Sequence, residues 1–229
     1  MKRTLAPELL DELPAADPLA VGSRKDLLRL NRLMGHPGFM LRILRSIFKE
    51  RPPAHLVEIG AGDGATMLFL ARSLKWRGVE VWLIDRQKVI SPATLRGIEQ
   101  SGWKVNVLTI DALEGLTWIP NCDCVLANLF LHHFRSQELG ELLQKISEKS
   151  NAMIACEPRR DAFALNASAF LGLLGCNSVT RHDARISIRA GFLGTEISSL
   201  WPDPENWELE ERSKPLFSHV FVARKTPAA

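Results

Sequence analysis

The sequence predicts a single α/β domain built on a mostly parallel sheet with helices on both faces. Three observations carry this expectation. Strand-length apolar runs alternate with helix-length segments between residues 55 and 156. The first run passes into a glycine-rich turn, Gly60-Ala61-Gly62-Asp63-Gly64, before a helix begins. The second run leads to an acid, Asp85, at its end. Parallel strands joined by right-handed helical crossovers place helices on both faces of the sheet.

Residues 1–22 read as an irregular leader rich in Pro, Ala and acidic side chains. Ser23 is expected to cap a helix over residues 23–35, with Asp26 three positions later as an approximate capping box. Leu27, Leu30, Leu33 and Met34 recur near helical spacing. Gly35, Pro37 and Gly38 are expected to interrupt it before a second helix with Phe39, Ile43, Leu44, Ile47 and Phe48 on one face. Pro52 and Pro53 end that segment. Residues 1–53 are thus expected to form a leader and helical cap, and residues 54–229 the main domain.

Within the main domain, strands are expected at 55–59, 79–84, 105–110, 124–129 and 152–156. Helices are expected at 65–74, after Ser91 and Pro92 as cap and first-turn proline, at 136–147, and at 162–174. Glu138 and Glu141 lie near the positive end of the third of these. Two further strands, 207–211 and 217–223, are expected to pair as a hairpin at one sheet edge.

Composition narrows the function classes. The chain has 229 residues, enough for one sizeable core. Hydrophobic residues make up 46% and charged residues 24%, which suggests neither disorder nor a fibre. The formal charge of +3 is too weak to demand nucleic acid, and the basic clusters at 42–51 and 181–189 read as solvated helix faces. None of the four cysteines forms a CxxC pair, a pattern that suits a reducing compartment. The start lacks the apolar segment of a signal peptide, and no charge-free run reaches membrane-spanning length. A cytoplasmic protein is the expectation.

The glycine turn is the sharpest local signal. Glycines let the backbone turn tightly and leave room for a ligand at the following helix N-terminus. Gly60-x-Gly62-x-x-Ala65 also satisfies the dinucleotide fingerprint, and Asp85 follows at about the distance of an acid that binds two ribose hydroxyls. A nicotinamide cofactor and a methyl donor therefore both fit the turn alone.

Val57-Glu58-Ile59-Gly60-Ala61-Gly62-Asp63-Gly64 resembles motif I of the class I S-adenosylmethionine-dependent methyltransferases. Glu58 stands where that family carries an acid two residues before its first glycine. Asp85, followed by Arg86, matches the ribose-binding acid after the second strand. Asp111 and Ala112 match the position beside the adenine amine after the third strand. Asn128-Leu-Phe-Leu-His-His-Phe134 resembles the segment after the fourth strand, which often ends Leu-His-His. The resemblance implies a Rossmann-like seven-stranded methyltransferase sheet, mostly parallel with a C-terminal antiparallel strand. It implies S-adenosyl-L-methionine as cofactor, bound by Glu58, the 60–64 turn, Asp85, Arg86, Asp111, Ala112 and Asn128. Other readings stand beside it: Asp111 as a turn cap, Asn128 as a partner for backbone groups, the paired histidines as structural residues.

The absence of tyrosine removes the Tyr-x-x-x-Lys acid of short-chain reductases. A nicotinamide-dependent reductase and a non-catalytic nucleotide-binding scaffold remain as alternatives. Nucleic-acid methylation is disfavoured, because Asn128 is followed by Leu129-Phe130-Leu131 instead of two prolines and an aromatic. A small acceptor is favoured, with Met34, Phe39, Met40, Phe163, Phe170 and Phe192 as candidate apolar lining. The Val179–Phe192 run, the Leu10–Leu19 leader and the Asp26–Gly35 segment look similar to bacterial methyltransferases found alongside polyketide or isoprenoid enzymes, which implies an aromatic, enolic or lipid-like acceptor in secondary metabolism, methylated on oxygen or carbon. A general base would then be one of three histidines: His133 first, then His132, then His182 on a helix carrying Arg181, Arg185 and Arg189 on one face. That arginine stripe is expected to pair with Glu157 and Asp161 or to hold an acceptor anion. No metal site is expected, since adjacent histidines diverge and no third ligand has a convincing spacing. The oligomeric state is not legible.

Overall fold

In the computed structural model, which describes residues 1–226, a short helix α1 (Leu9–Glu12) precedes two longer ones, α2 (Pro18–Met34) and α3 (His36–Ile47). The alternating region follows as β1 (His55–Ile59), α4 (Ala65–Leu74), β2 (Glu80–Asp85), α5 (Pro92–Gln100) and β3 (Lys104–Thr109). It continues as α6 (Ala112–Trp118), β4 (Cys124–Asn128), α7 (Ser136–Lys149) and β5 (Ala152–Pro158). Then come α8 (Ala162–Ala167), α9 (Ser178–Ala190), β6 (Trp207–Lys214) and β7 (Ser218–Lys225).

The strands form one seven-stranded sheet in the order β3-β2-β1-β4-β5-β7-β6. The first five are mutually parallel, and β7 runs antiparallel to both β5 and β6. The expected edge hairpin is therefore present. Alternation along each strand splits the core in two. Val57, Ile59, Val125 and Ala127 pack with Leu116 of α6 and with Leu139, Leu142, Leu143 and Ile146 of α7. Leu56, Val81, Leu83 and Leu126 pack against Met40 and Leu44 of α3, Met67 and Leu70 of α4, and Ile98 of α5. Burying side chains of this size on both faces supplies the main stabilisation, about 1.5–3 kcal/mol for each large one.

Register sets up the site. Ile59 pairs with Ile84 on one side and Ala127 on the other, and Asn128 pairs with Cys156. The residues that follow or end these strands, Gly60, Asp85, Asn128 and Glu157, therefore share one rim. The strand order reverses between β1 and β4, the place where open α/β sheets form a crevice at their carboxyl ends.

Several expectations about the flanks are corrected. The helix expected from Ser23 starts at Pro18, with the Asp17 side chain accepting from the Leu19 and Ala20 amides. Ser23 is buried inside it, its Oγ 3.0 Å from Thr180 Oγ1, and Asp26 accepts from the Asn177 amide at 2.8 Å. Gly35, at φ 75°, is the break between α2 and α3, whereas Pro37 and Gly38 lie inside α3. Helix α6 was not expected; Asp111 caps it, accepting from the Leu113 amide at 2.8 Å. The helix expected over 162–174 is shorter, passing into a 3₁₀ turn at Ser168–Gly172. No helix among the described residues is long and apolar enough to cross a membrane.

Candidate active site

A cavity of about 620 Å³ opens over the carboxyl ends of β1–β4. That volume lies within the range of small-molecule sites. Glu58, the 60–64 turn, Asp85, Asp111 and Asn128 all line it, as do Arg86 and Ala112. Residues scattered over 71 positions of sequence thus meet because each sits at or just past a strand end.

The turn is shaped by two glycines in particular. Gly60 has φ 64°, and a Cβ there would lie 2.2 Å from Phe130 Cδ2. Gly62 has φ 53° with no atom within 4 Å of its would-be Cβ, which leaves open space beside the backbone. Its amide donates to Asp85 Oδ2 at 2.8 Å, and Asp85 Oδ1 accepts from the Gln87 amide at 2.8 Å. Asp85 is therefore held in place by backbone, with lone pairs left on both oxygens.

Glu58 is fully buried, and its Oε2 has no hydrogen-bond partner. Burial, together with the Asp63 and Asp85 charges, pushes its carboxyl up to about 8. Asn128 is oriented from helix α3: His36 Nδ1 donates to its Oδ1 at 3.0 Å, while His36 Nε2 lies 2.8 Å from Ser218 Oγ. Burial keeps that imidazole neutral, with its pKa down at about 4.

The segment after β4 turns tightly at Leu131–His133. Glu157 at the end of β5 organises it, accepting from the Phe130 and Leu131 amides at 3.0 and 2.9 Å and from His132 Nδ1 at 2.7 Å. His132 Nε2 lies 3.3 Å from Glu8 Oε1. Burial disfavours the His132 cation, but the Glu157 and Glu8 contacts outweigh it and push the imidazole up to about 9. His133 donates from Nδ1 to the Phe130 carbonyl at 2.9 Å, leaving Nε2 facing Glu8 Oε2 at 3.5 Å and Asp11 Oδ2 at 3.8 Å. Despite its own burial, Glu8 is held well below the usual carboxylate range by the two histidines.

His133 lines the main cavity and His132 stands directly behind it. His182 is not brought there: it lies half-exposed on α9, its Nδ1 3.0 Å from Asp183 Oδ1, and it lines neither cavity. The arginine stripe also does not reach Glu157 or Asp161, which pair with His132 and Arg159 instead. The expectation that the adjacent histidines diverge is corrected too. Their ring centroids are 4.2 Å apart at 32°, and Glu8 closes the group.

Sequence reasoning missed Glu8, Arg24, Asn31 and His36. Arg24 and Asn31, with Leu27 and Leu28 between them, form one face of α2 that lines the cavity. Arg24 Nη1 and Asn31 Oδ1 are buried without a hydrogen-bond partner. Only the seven-residue spacing of two polar side chains on an otherwise apolar helix face marked them in the sequence.

No protein-family model matches the chain, and no curated protein matches it. Solved structures do match its fold. The plantazolicin methyltransferase BpumL in complex with SAH is 15% identical, with a TM-score of 0.65 over 92% of each chain. Plantazolicin methyltransferase BamL, in complex with a triazolic desmethylPZN analog and SAH, is 14% identical, with a TM-score of 0.64 over 95% of this chain and 93% of that one. An O-methyltransferase family protein from Burkholderia thailandensis is 14% identical, with a TM-score of 0.61 over 94% of this chain and 64% of that one. The chain is thus similar to the methyltransferase fold along nearly its whole length.

Proposed function

We propose that this chain is an enzyme that binds S-adenosyl-L-methionine and transfers its methyl group to a small acceptor. The observation that carries the proposal is the convergence of Glu58, the 60–64 turn, Asp85, Asp111 and Asn128 on one cavity at the switch point of the sheet. Its fold neighbours solved with SAH support the same reading.

The residues present fit the donor. The open backbone at Gly62 leaves room for a ligand against the turn. Asp85 offers acceptor lone pairs for two ribose hydroxyls, and Asp111 has one carboxylate oxygen beyond the one that caps α6. Arg24 and Asn31 bring a donor and an acceptor without partners, which suits an α-carboxylate and an α-ammonium. The bound donor supplies an electrophilic sulfonium methyl and a good leaving group. The protein then has to align the acceptor and exclude water.

For the acceptor we favour an aromatic, enolic or lipid-like compound of secondary metabolism. Leu10, Leu27, Leu28, Leu129, Phe130 and Phe134 give its part of the cavity an apolar wall. We place the reacting oxygen or carbon on the side of His133, the histidine that reaches the main cavity.

Calorimetric titration with S-adenosylmethionine, S-adenosylhomocysteine and NADH tests the reading. Saturable binding of both sulfur nucleotides and none of NADH is expected. Binding of NADH alone overturns it. A screen of phenols and enols with labelled donor then separates O- from C-methylation.

A further inference from the structure

We propose that Glu8, His132 and His133 form a seat for one divalent cation of the zinc class at the wall of the cavity. The tight turn at Leu131–His133 sets the two imidazoles side by side, with ring centroids 4.2 Å apart. Each ring has its Nδ1 engaged: His132 with Glu157 Oε2 at 2.7 Å, His133 with the Phe130 carbonyl at 2.9 Å. Both Nε2 atoms therefore turn towards Glu8, 3.3 Å from its Oε1 and 3.5 Å from its Oε2. One ligand atom from each of the three residues lies within 4.8 Å of the other two.

These spacings suit a cation. Tetrahedral zinc with bonds of about 2.0–2.1 Å holds its ligand atoms about 3.3 Å apart. Two imidazoles and one carboxylate, with a position left over, are a donor set used by zinc and by other borderline first-row ions. Asp11 Oδ2, half-exposed, lies 3.8 Å from His133 Nε2, beside the three-residue group and outside it.

The surroundings are those of ligands held in place. Metal-bound histidines donate their other ring nitrogen to a carboxylate or a backbone carbonyl, and here one does each. Glu8 is oriented by the Ser187 hydroxyl. The short helix α1 that follows it is pinned by Asp183, which accepts from the Leu9 and Leu10 amides at 2.8 and 2.9 Å. Arg3 braces the histidine turn through the His132 and Phe134 carbonyls at 3.2 and 2.9 Å.

The Nδ1 proton of His132 is donated to Glu157, which leaves Nε2 as the atom that faces Glu8. A cation between Glu8 and the two Nε2 atoms bonds all three residues at once. Its use would be to polarise an acceptor oxygen, with His133 as its ligand instead of a free base. The seat itself does not depend on the methyl-transfer reading; only that use rests on it.

The test is titration of the full chain, stripped with chelator, with zinc chloride by calorimetry and cobalt chloride by visible absorption. One equivalent of zinc and the strong visible bands of four- or five-coordinate cobalt are expected. Glu8→Gln and His133→Gln should each weaken zinc binding at least tenfold, and His182→Ala should leave it within twofold. S-adenosylhomocysteine affinity is measured on the same samples. Zinc uptake without nucleotide binding would sink the methyl-transfer reading and keep the seat. No saturable zinc or cobalt uptake, or uptake unchanged in both substituted proteins, overturns the seat. His133 is more exposed than Glu8, so His133→Gln still tests the proposal where Glu8→Gln loosens the N-terminal segment.

Discussion

His36 donates from Nδ1 to Asn128 Oδ1 at 3.0 Å, so a residue of α3 sets the orientation of an amide at the end of β4. Asn128 Nδ2 is left towards Thr66 Oγ1, at 3.4 Å. Nδ1 keeps its proton in the charged ring too, so acid acts on Nε2, which in the neutral ring accepts from the Ser218 hydroxyl. Burial lowers the folded pKa of His36 to about 4, against an ordinary value of 6.5.

Stability should therefore fall with acid through His36. Between pH 6.5 and about 4 the unfolded imidazole takes a proton that the folded one refuses. The contribution is present above the unfolded pKa and is lost as pH drops towards the folded one. The size is on the order of 3 kcal/mol. Thermal melts of the wild type and His36→Gln between pH 4.5 and 7.5 check this. The wild type should lose more Tm on acidification; parallel curves would remove His36 as the cause.

Glu58 gives the opposite slope. Burial and its acidic neighbours raise its folded pKa to about 8, against an ordinary value of 4.5. The folded chain holds this proton more tightly than the unfolded chain does. Its contribution is complete below pH 4.5 and declines as pH rises through 8. Glu58→Gln should flatten that decline by a few kcal/mol. Its Tm relative to wild type should climb from pH 5 to pH 9; a constant difference would show that Glu58 does not titrate there.

Residues 55–156 were legible because each strand is a short apolar run bounded by turn residues, and each landmark follows a strand end. The N-terminal segment was less so. Asp17-Pro18 and Ser23-Asp26 are competing start signals for one helix, and packing against α9 decides between them, since Asp26 and Ser23 meet Asn177 and Thr180 there. Helix α6 spans only seven residues, too few to show a helical period. Glu8 could not be found at all: it lies 124 positions from His132, and no local spacing encodes their meeting.

Gly60 should tolerate no side chain. Alanine at φ 64° costs about 1–2 kcal/mol of backbone strain, and the contact with Phe130 adds about 1–3 kcal/mol of overpacking. In a chain of this size the Tm of Gly60→Ala should drop on the order of 10 °C. Adding Phe130→Ala separates the two causes. A smaller penalty for Gly60→Ala in that background assigns part of the loss to the ring, and an equal penalty assigns it all to the backbone.

The α2 face should read the amino-acid end of the donor. Arg24 Nη1 has no partner, while its Nη2 is tied to the Ala15 carbonyl, so the guanidinium is held with one donor to spare. A charge-assisted hydrogen bond contributes about 1.5–3 kcal/mol, which is about 10- to 100-fold in affinity. Arg24→Gln should weaken S-adenosylhomocysteine by that factor. Methylthioadenosine keeps the nucleoside and lacks the amino acid, so its affinity should stay within twofold. Asn31→Leu should show the same selectivity, because it removes the acceptor that suits the ammonium. Equal losses for both ligands would mean that α2 shapes the whole cavity instead of recognising the zwitterion, and no loss for either would remove Arg24 and Asn31 from the site.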